Sequence, residues 1–174
     1  MTSGGDAPGM NAAIRSVVRT ALFRKHEVIG LKRGFLGLIN QEWQELNSRL
    51  VGGILNRGGT VLLTARAPQF KEEEIQEQAI AWLRHEAVDC LIVIGGNGTQ
   101  KGTYQLHKKG FPVIGVASTI DNDVYGSDQT IGFDTALNNA VSAIDKIRDT
   151  ATSHERVFII EVMGRDVGFI SLHC

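Results

Sequence analysis

Two rhythms of apolar positions alternate along this chain, one at helical spacing and one in short β-branched runs. After a Thr2-Ser3-Gly4-Gly5-Asp6 turn and Pro8, the positions Met10, Ala13, Ile14, Val17, Val18, Ala21 and Leu22 recur as one face of a helix. Val28 to Leu31 predicts a short strand, and Gly34, Phe35 and Gly37 a loop. Leu46 to Leu55 predicts a helix closed by Asn56-Arg57-Gly58-Gly59. The β-branched run Thr60 to Thr64 predicts a strand that delivers Arg66 to its carboxyl end. Glu72 to His85 carries Ile75, Ala79, Ile80, Trp82 and Leu83 as an amphipathic helix with acidic residues in its first turn.

The second half repeats the alternation. Asp89 to Ile94 is nearly all apolar, as expected of a parallel strand covered on both faces, and Cys90 is expected inside it as a core residue. Gly98 to Lys109 predicts a helix and Val113 to Ala117 a strand. Phe133 to Asp149 predicts a long helix with Phe133, Leu137, Val141 and Ile144 on one stripe, and Val157 to Val162 a further buried strand. The predicted fold is α/β, an open three-layer sandwich around a mostly parallel sheet. Such sheets gather ligands outside the carboxyl ends of their strands. Both ends read as those of a piece: no strand precedes Gly4-Gly5, and Cys174 interrupts a new helical pattern. The expectation is a domain over residues 1–174 with its first strand missing.

Composition narrows the partners. With 18 basic and 19 acidic residues the net charge is -1, which argues against bulk nucleic-acid or membrane binding. No apolar run approaches the roughly 18 residues of a membrane helix. Cys90 and Cys174 match neither a redox pair nor a metal-site spacing, which points weakly to the cytoplasm.

Candidate chemistry clusters at the predicted strand ends. Gly4-Gly5 precedes a helix whose exposed amides can hold a phosphate, although a glycine pair also serves any tight turn. Gly95-Gly96-Asn97-Gly98-Thr99, with Gly102, allows close backbone approach to a phosphate and places a hydroxyl at a helix start. It is neither a Walker loop nor a good dinucleotide fingerprint, because Ala117-Ser118 supplies no acid for a ribose. Thr119-Ile120-Asp121-Asn122-Asp123 sets two carboxylates on one side of an extended segment, suited to taking a proton from an alcohol or holding magnesium; an Asx turn is the plainer alternative. Arg66, Arg156 and Arg165 offer forks for phosphate oxygens, and Arg15 and Arg19, one helical turn apart, a second anion site or a solvated face.

These segments resemble the bacterial ATP-dependent 6-phosphofructokinase family. The resemblance rests on Thr2 to Asn11, Thr119 to Asp123, Ile131-Gly132-Phe133-Asp134-Thr135-Ala136 and Glu161-Val162-Met163-Gly164-Arg165, and it spans the chain while covering about the first half of a family member. It implies that Gly5, Arg66, Ala67, Gly96, Asn97, Gly98, Thr99 and Gly102 bind ATP. It implies that Asp121 is the base toward the sugar's 1-hydroxyl, that Asp123 serves the Mg²⁺ and phosphate centre, and that Thr119 contacts the transferring group. Thr119, Ile120, Asp121, Met163, Gly164 and Arg165 are implied to bind fructose 6-phosphate, with Arg156 reaching the same phosphate across a subunit interface. Arg15, Arg19 and Arg148 match an effector site for ADP or phosphoenolpyruvate, and the family is a cytoplasmic homotetramer of glycolysis. Gly98 favours ATP over diphosphate, since diphosphate-using relatives carry an aspartate there.

The chain departs from the family pattern at several positions. Asn97 stands where the family has the aspartate that serves Mg²⁺, so metal affinity and rate are expected to fall. Ser118 replaces a glycine, Ala67 a bulkier residue, Phe169 an aspartate, and Gly53 an acid of the effector site. Two alternatives follow from the residues: a nucleotide-binding domain without turnover, and a dinucleotide oxidoreductase.

Overall fold

A computed structural model describes residues Met1–Cys174. In chain order its elements are β1 (Thr2–Ser3), α1 (Met10–Phe23), β2 (Ile29–Leu31), α2 (Gly34–Ile39), β3 (Trp43–Glu45), a 3-10 turn at Pro68–Lys71, and α3 (Glu73–His85). Then come β4 (Leu91–Gly95), α4 (Asn97–Lys108), β5 (Val113–Thr119), β6 (Ile131–Gly132), α5 (Phe133–Ser153) and α6 (Phe169–His173). The main sheet runs β1-β4-β5-β6 with every pair parallel, and β2 and β3 form a separate antiparallel ribbon.

The side-chain alternation of β4 explains the layers. Leu91 and Val93 point into a cluster with Phe35, Leu83, Leu106 and Phe111, so α2, α3 and α4 cover that face. Ile94 points into a second cluster with Met10, Ile14, Val18 and Leu62, so α1 covers the other. Each fully buried aliphatic side chain contributes roughly 1.5–3 kcal/mol, which makes β4 the element on which both cores depend.

Several expectations are corrected. Thr2–Ser3 is not part of a turn; it pairs with Ile94 and Gly95 as a short strand and is buried. Leu46 to Leu55 is not helical. Asn47 accepts the backbone N–H groups of Arg49 and Leu50 at 3.1 and 3.0 Å, closing local turns, and Gly53 takes φ +69°. Its apolar side chains Leu46, Val51 and Ile54 are buried all the same, which is what imitated a helix stripe. Thr60 to Thr64 is likewise a turn. The Thr60 carbonyl accepts the N–H of Leu63, which lies at φ 58°, while its hydroxyl lies 2.8 Å from that of Thr2.

Gly34 to Ile39 is a helix rather than a loop. Phe35 and Leu38 bury against the first cluster, and Gly34 (φ +60°) sits where a Cβ would strike Ser3 and the Thr2 carbonyl. Cys90 lies one residue ahead of β4 and is exposed, so it has no core role. Val157 to Val162 forms no strand, and Val157 and Ile159 are 94% and 97% exposed because no other strand pairs with them. The long helix α5 keeps its stripe only half-buried, with Phe133 alone fully inside.

One polar side chain holds the irregular segment 57–64 to α1. Asn11, 1% exposed, donates to the Arg57 carbonyl at 2.8 Å and accepts the Val61 N–H at 2.8 Å. Replacing it by alanine strands both partners, so Asn11→Ala is expected to cost about 1–3 kcal/mol of stability in urea unfolding. Asn11→Asp, which keeps the acceptor, is expected to cost less.

Candidate active site

The parallel register sets the site. Ser3 lies beside Gly95 and Gly95 beside Ala117, so β1, β4 and β5 release the chain on the same edge of the sheet. Gly4-Gly5, Gly96-Asn97-Gly98 and Ile120-Asp121-Asn122-Asp123 are therefore neighbouring loops. The side chains that the glycines meet there are those of Thr99 and Thr119. A Cβ on Gly96 would lie 3.2 Å from the Thr119 Cβ, and one on Gly95 would collide with the Ser3 carbonyl. The Thr99 hydroxyl donates to the Ser3 carbonyl at 2.9 Å, sewing the first glycine turn to the start of α4. Thr99 thus spends its proton on the fold, and it is the backbone of this turn that remains for a ligand.

Helix starts add polarity to this rim. α4 begins at Asn97 directly after β4, and Gly132, the residue ahead of α5, packs on Ala7 and the Pro8 carbonyl just before α1. The N-terminal amides of α1, α4 and α5 have no helical partners, and the helix dipoles favour negative charge at this edge. The α-carbons of Gly5 and Gly98 face open space, which leaves room for phosphate oxygens. Gly102 does not: its α-carbon abuts the Phe35 ring, a packing duty that tolerates no side chain.

Arg66 joins the same edge although no strand carries it. The Thr64 hydroxyl donates to the Gly4 carbonyl, and Arg66 follows, exposed and without an ion-pair partner. Ala67 packs on the first core cluster. Ile120 packs on the second and so offers a ligand its backbone.

The acid loop is not extended as expected, because Asn122 takes φ 53°. Asp121 and Asp123 still interact. Burial pushes the Asp121 carboxyl above its ordinary value and the charge of Asp123 pushes it further, while Thr119 by hydrogen bond and Arg165 by charge oppose the shift; Asp166 adds to it. Arg165 therefore faces the acid loop from the turn after Met163, with its Nε 3.4 Å from Asp166. Gly164 is buried in that turn, where the Val167 N–H donates to its carbonyl at 3.0 Å. Met163 is 75% exposed, and Arg156 lies exposed just after α5, its N–H bonded to the Ala151 carbonyl at 3.0 Å.

The second anion site is only partly assembled within the chain. Arg15, Arg19, Ala12, Ser16, Thr20 and Leu55 line one shallow cavity, and Arg15 donates to the Val51 carbonyl at 3.2 Å. Arg148 does not line it; on α5 it pairs with Asp145 at 2.7 Å.

No group of three or more His, Cys, Asp or Glu side chains gathers to hold a metal. Magnesium does not require one, since it is held by one or two carboxylates together with substrate phosphates and water. Asp121 and Asp123, with the Asn97 amide at the adjoining loop, fit that pattern with one charge fewer than an aspartate at 97 would give.

The sequence reading missed four residues. Gln100 donates to the carbonyls of Gly95 and Val116, both at 3.0 Å, tying α4 to β4 and β5. Its place beside the buried Thr99 and Thr103 on one helix face was the available signal. Asn122 and Thr130 brace the acid loop by hydrogen bonds, Asp166 adds negative charge near Asp121, and no pattern along the chain marks Thr130.

The phosphofructokinase family model, described as "Phosphofructokinase", matches residues 1–174. The chain is 59% identical over 172 residues to an ATP-dependent 6-phosphofructokinase of Lysinibacillus sphaericus, covering 99% of this chain and 54% of that protein. It is 58% identical over 173 residues to the enzyme so named in Aquifex aeolicus, with the same coverage. The chain thus spans about half the length of these curated relatives. Among solved structures, Saccharomyces cerevisiae phosphofructokinase superimposes with a TM-score of 0.91 at 36% identity, over 99% of this chain and 26% of that one. A pyrophosphate-dependent phosphofructokinase from Marinobacter aquaeolei gives 0.82 at 27%, over 99% and 47%. With glycine turns, acid loop and Arg165 turn arranged on one sheet edge as described, the chain belongs to the phosphofructokinase family.

Proposed function

We infer that this chain is the ATP-binding part of an enzyme that transfers the γ-phosphoryl group of ATP to the 1-hydroxyl of D-fructose 6-phosphate, giving fructose 1,6-bisphosphate and ADP. The observation that carries this reading is the contact of Gly96 with Thr119, which sets an open phosphate cradle against a carboxylate of raised basicity. The curated relatives named as ATP-dependent 6-phosphofructokinases support the choice of donor and acceptor.

In this reading the amides at Gly5 and Gly96–Thr99, with Arg66 and the neighbouring Ala67 and Gly102, hold ATP. Asp121 accepts the hydroxyl proton as the sugar oxygen bonds to the γ-phosphorus and the bond to the ADP oxygen breaks. Thr119 donates its hydroxyl proton toward the transferring group. Asp123 and Asn97 would hold Mg²⁺, which when bound would supply neutralisation of the charge gathering on the phosphates. Ile120, Met163, Gly164, Arg165 and Arg156 take the sugar phosphate. Arg15, Arg19 and Arg148 take ADP or phosphoenolpyruvate as effectors, in a cytoplasmic homotetramer. Open space at Gly98 suits a nucleotide, and Gly98→Asp is expected to abolish ATP binding by the chain in titration calorimetry.

A second reading, nucleotide binding without turnover, is favoured by one residue. The Asn97 amide carries no charge toward the metal. The two are separated by joining this chain to the carboxyl-terminal half of the Lysinibacillus sphaericus relative and following ADP release. Fructose 6-phosphate-dependent ADP release is expected, and Asn97→Asp is expected to improve Mg²⁺ affinity by about 10- to 100-fold and to raise the rate. ATP binding with no ADP release in either version would leave the second reading standing.

Asp121 carries a pH signature. A carboxyl raised on folding adds stability fully below its unfolded value of 3.8 and loses it as the pH climbs through the folded value. The ionised Asp121 therefore burdens the fold at pH 7. Asp121→Asn is expected to raise the melting temperature at pH 7, with a gain that shrinks as the pH falls toward 3.8. The same variant is expected to lower kcat of the joined enzyme by about 10²- to 10⁴-fold.

A further inference from the structure

Between the two carboxylates sits a side chain to which the reaction gives no part. Asn122 takes the left-handed conformation, φ 53°, which asparagine tolerates better than most residues. Its amide oxygen accepts the Thr130 N–H at 2.8 Å, and its amide nitrogen donates to the Asp128 carbonyl at 3.4 Å. Thr130 is 3% exposed. Its hydroxyl donates to the Thr119 carbonyl at 2.7 Å and lies 3.2 Å from the Asn122 amide oxygen. Thr119 in turn accepts the Asp121 N–H on its own hydroxyl at 3.2 Å.

These bonds close a ring around Asp121. One side of the ring is the end of β5, and the other is the residue that enters β6. Ser118 repeats the link one step further on, donating to the Ile131 carbonyl at 3.2 Å. Beyond it Gly132 packs on Ala7 and the Pro8 carbonyl, so the ring is tied to the turn that precedes α1. Were residue 122 extended, Asp121 and Asp123 would point the same way along the segment. The left-handed turn sets a different relation between them, and the bonds to Thr130, at 2.7 and 2.8 Å, are shorter than the others in it, those of Asn122 to Asp128 and of Asp121 to Thr119.

We propose that Thr130 is a positioning residue for phosphoryl transfer: through the Thr119 carbonyl and the Asn122 amide it fixes the turn that presents Asp121 and Asp123, and it touches neither nucleotide nor sugar. The proposal rests on the kinase reading above for what the turn does, while the strap itself is a property of the chain. A base displaced by about 1 Å costs on the order of 10²-fold in rate, so a strap that holds it by short hydrogen bonds matters to kcat rather than to ATP affinity.

Three variants test it. Thr130→Val keeps the shape and removes the hydroxyl, Thr130→Ser keeps the hydroxyl, and Asn122→Gly keeps the left-handed turn while removing the amide. In the chain itself, amide hydrogen exchange at Asp121 is expected to quicken by about 10-fold or more in Thr130→Val and Asn122→Gly, with MgATP affinity within about twofold of the unmodified chain. Thr130→Ser is expected to restore slow exchange. In the enzyme completed with the Lysinibacillus sphaericus half, Thr130→Val is expected to lower kcat by about 10- to 100-fold and leave the KM for ATP within about twofold, again rescued by serine. Unchanged exchange in both Thr130→Val and Asn122→Gly would overturn the proposal, as would a fall in kcat that serine does not rescue or that ATP affinity follows. If the unmodified chain binds no ATP, the kinase reading fails, and the exchange comparison still decides whether the strap exists.

Discussion

The site depends on glycine backbone closing on its neighbours at the carboxyl edge of the sheet. Gly95 abuts the Ser3 carbonyl and the Thr99 side chain, and Gly96 abuts the Thr119 side chain, approaches possible because residues 95 and 96 carry no side chain. That contact fixes where α4 begins, since the helix starts at Asn97 with its free amides facing the rim. It also fixes where Asp121 stands relative to those amides. A methyl group on Gly95 would strike the Ser3 carbonyl and Thr99, and one on Gly96 would press on Thr119 at the head of the acid loop. The Thr99 bond to Ser3 and the Gln100 bonds to Gly95 and Val116 are fasteners for a juxtaposition that the glycines permit.

Two opposed influences meet at this edge. Helix dipoles and the free Arg66 favour negative charge, which serves phosphate oxygens and carboxylates alike. Burial and mutual repulsion disfavour charge on Asp121, with Asp123 as the closest cause after desolvation. A carboxylate made more basic in this way takes a proton more readily at neutral pH. Asn97 belongs to the same balance. Its amide neither repels Asp123 nor attracts a metal as an aspartate would.

How much of this the sequence disclosed follows from where the chain makes its hydrogen bonds. Elements whose backbone bonds stay within a helix or ladder were legible: α1, α3, α4, α5, β4 and β5 all appear close to their predicted bounds. The failures lie where side chains compete for the backbone. Asn47 captures two N–H groups and Thr60 bonds its own turn, so apolar spacing at 46–55 and 60–64 reported burial without reporting secondary structure. The helix at Gly34 escaped notice because its glycines answer a tertiary demand, the nearness of β1, that local pattern does not encode. At the site, the glycine turns and the acid pair were visible as residue types at strand ends. The bracing by Thr130 and Gln100 was not, because each acts across a strand-to-strand distance that sequence spacing leaves unstated.

The two sides of the site are built differently. Residues assigned to the nucleotide leave strands that are covered on both faces, and their loops are pinned by Thr2, Asn11, Thr64 and Thr99. Met163, Gly164 and Arg165 follow a run whose side chains at Val157 and Ile159 are almost fully exposed. That run is strongly β-prone and unpaired, a state that costs apolar exposure and unmet backbone bonds. Beyond it the chain is held by α6, where Ile170 is buried and the His173 ring meets Phe133 at 6.0 Å. The chain's own packing therefore fixes the glycine turns by hydrogen bonds, and holds the Met163–Arg165 segment through the α6 contacts that follow it. Arg165 and Met163 are therefore presented at the end of an exposed run remote from the glycine turns, whereas those turns are set by the sheet itself.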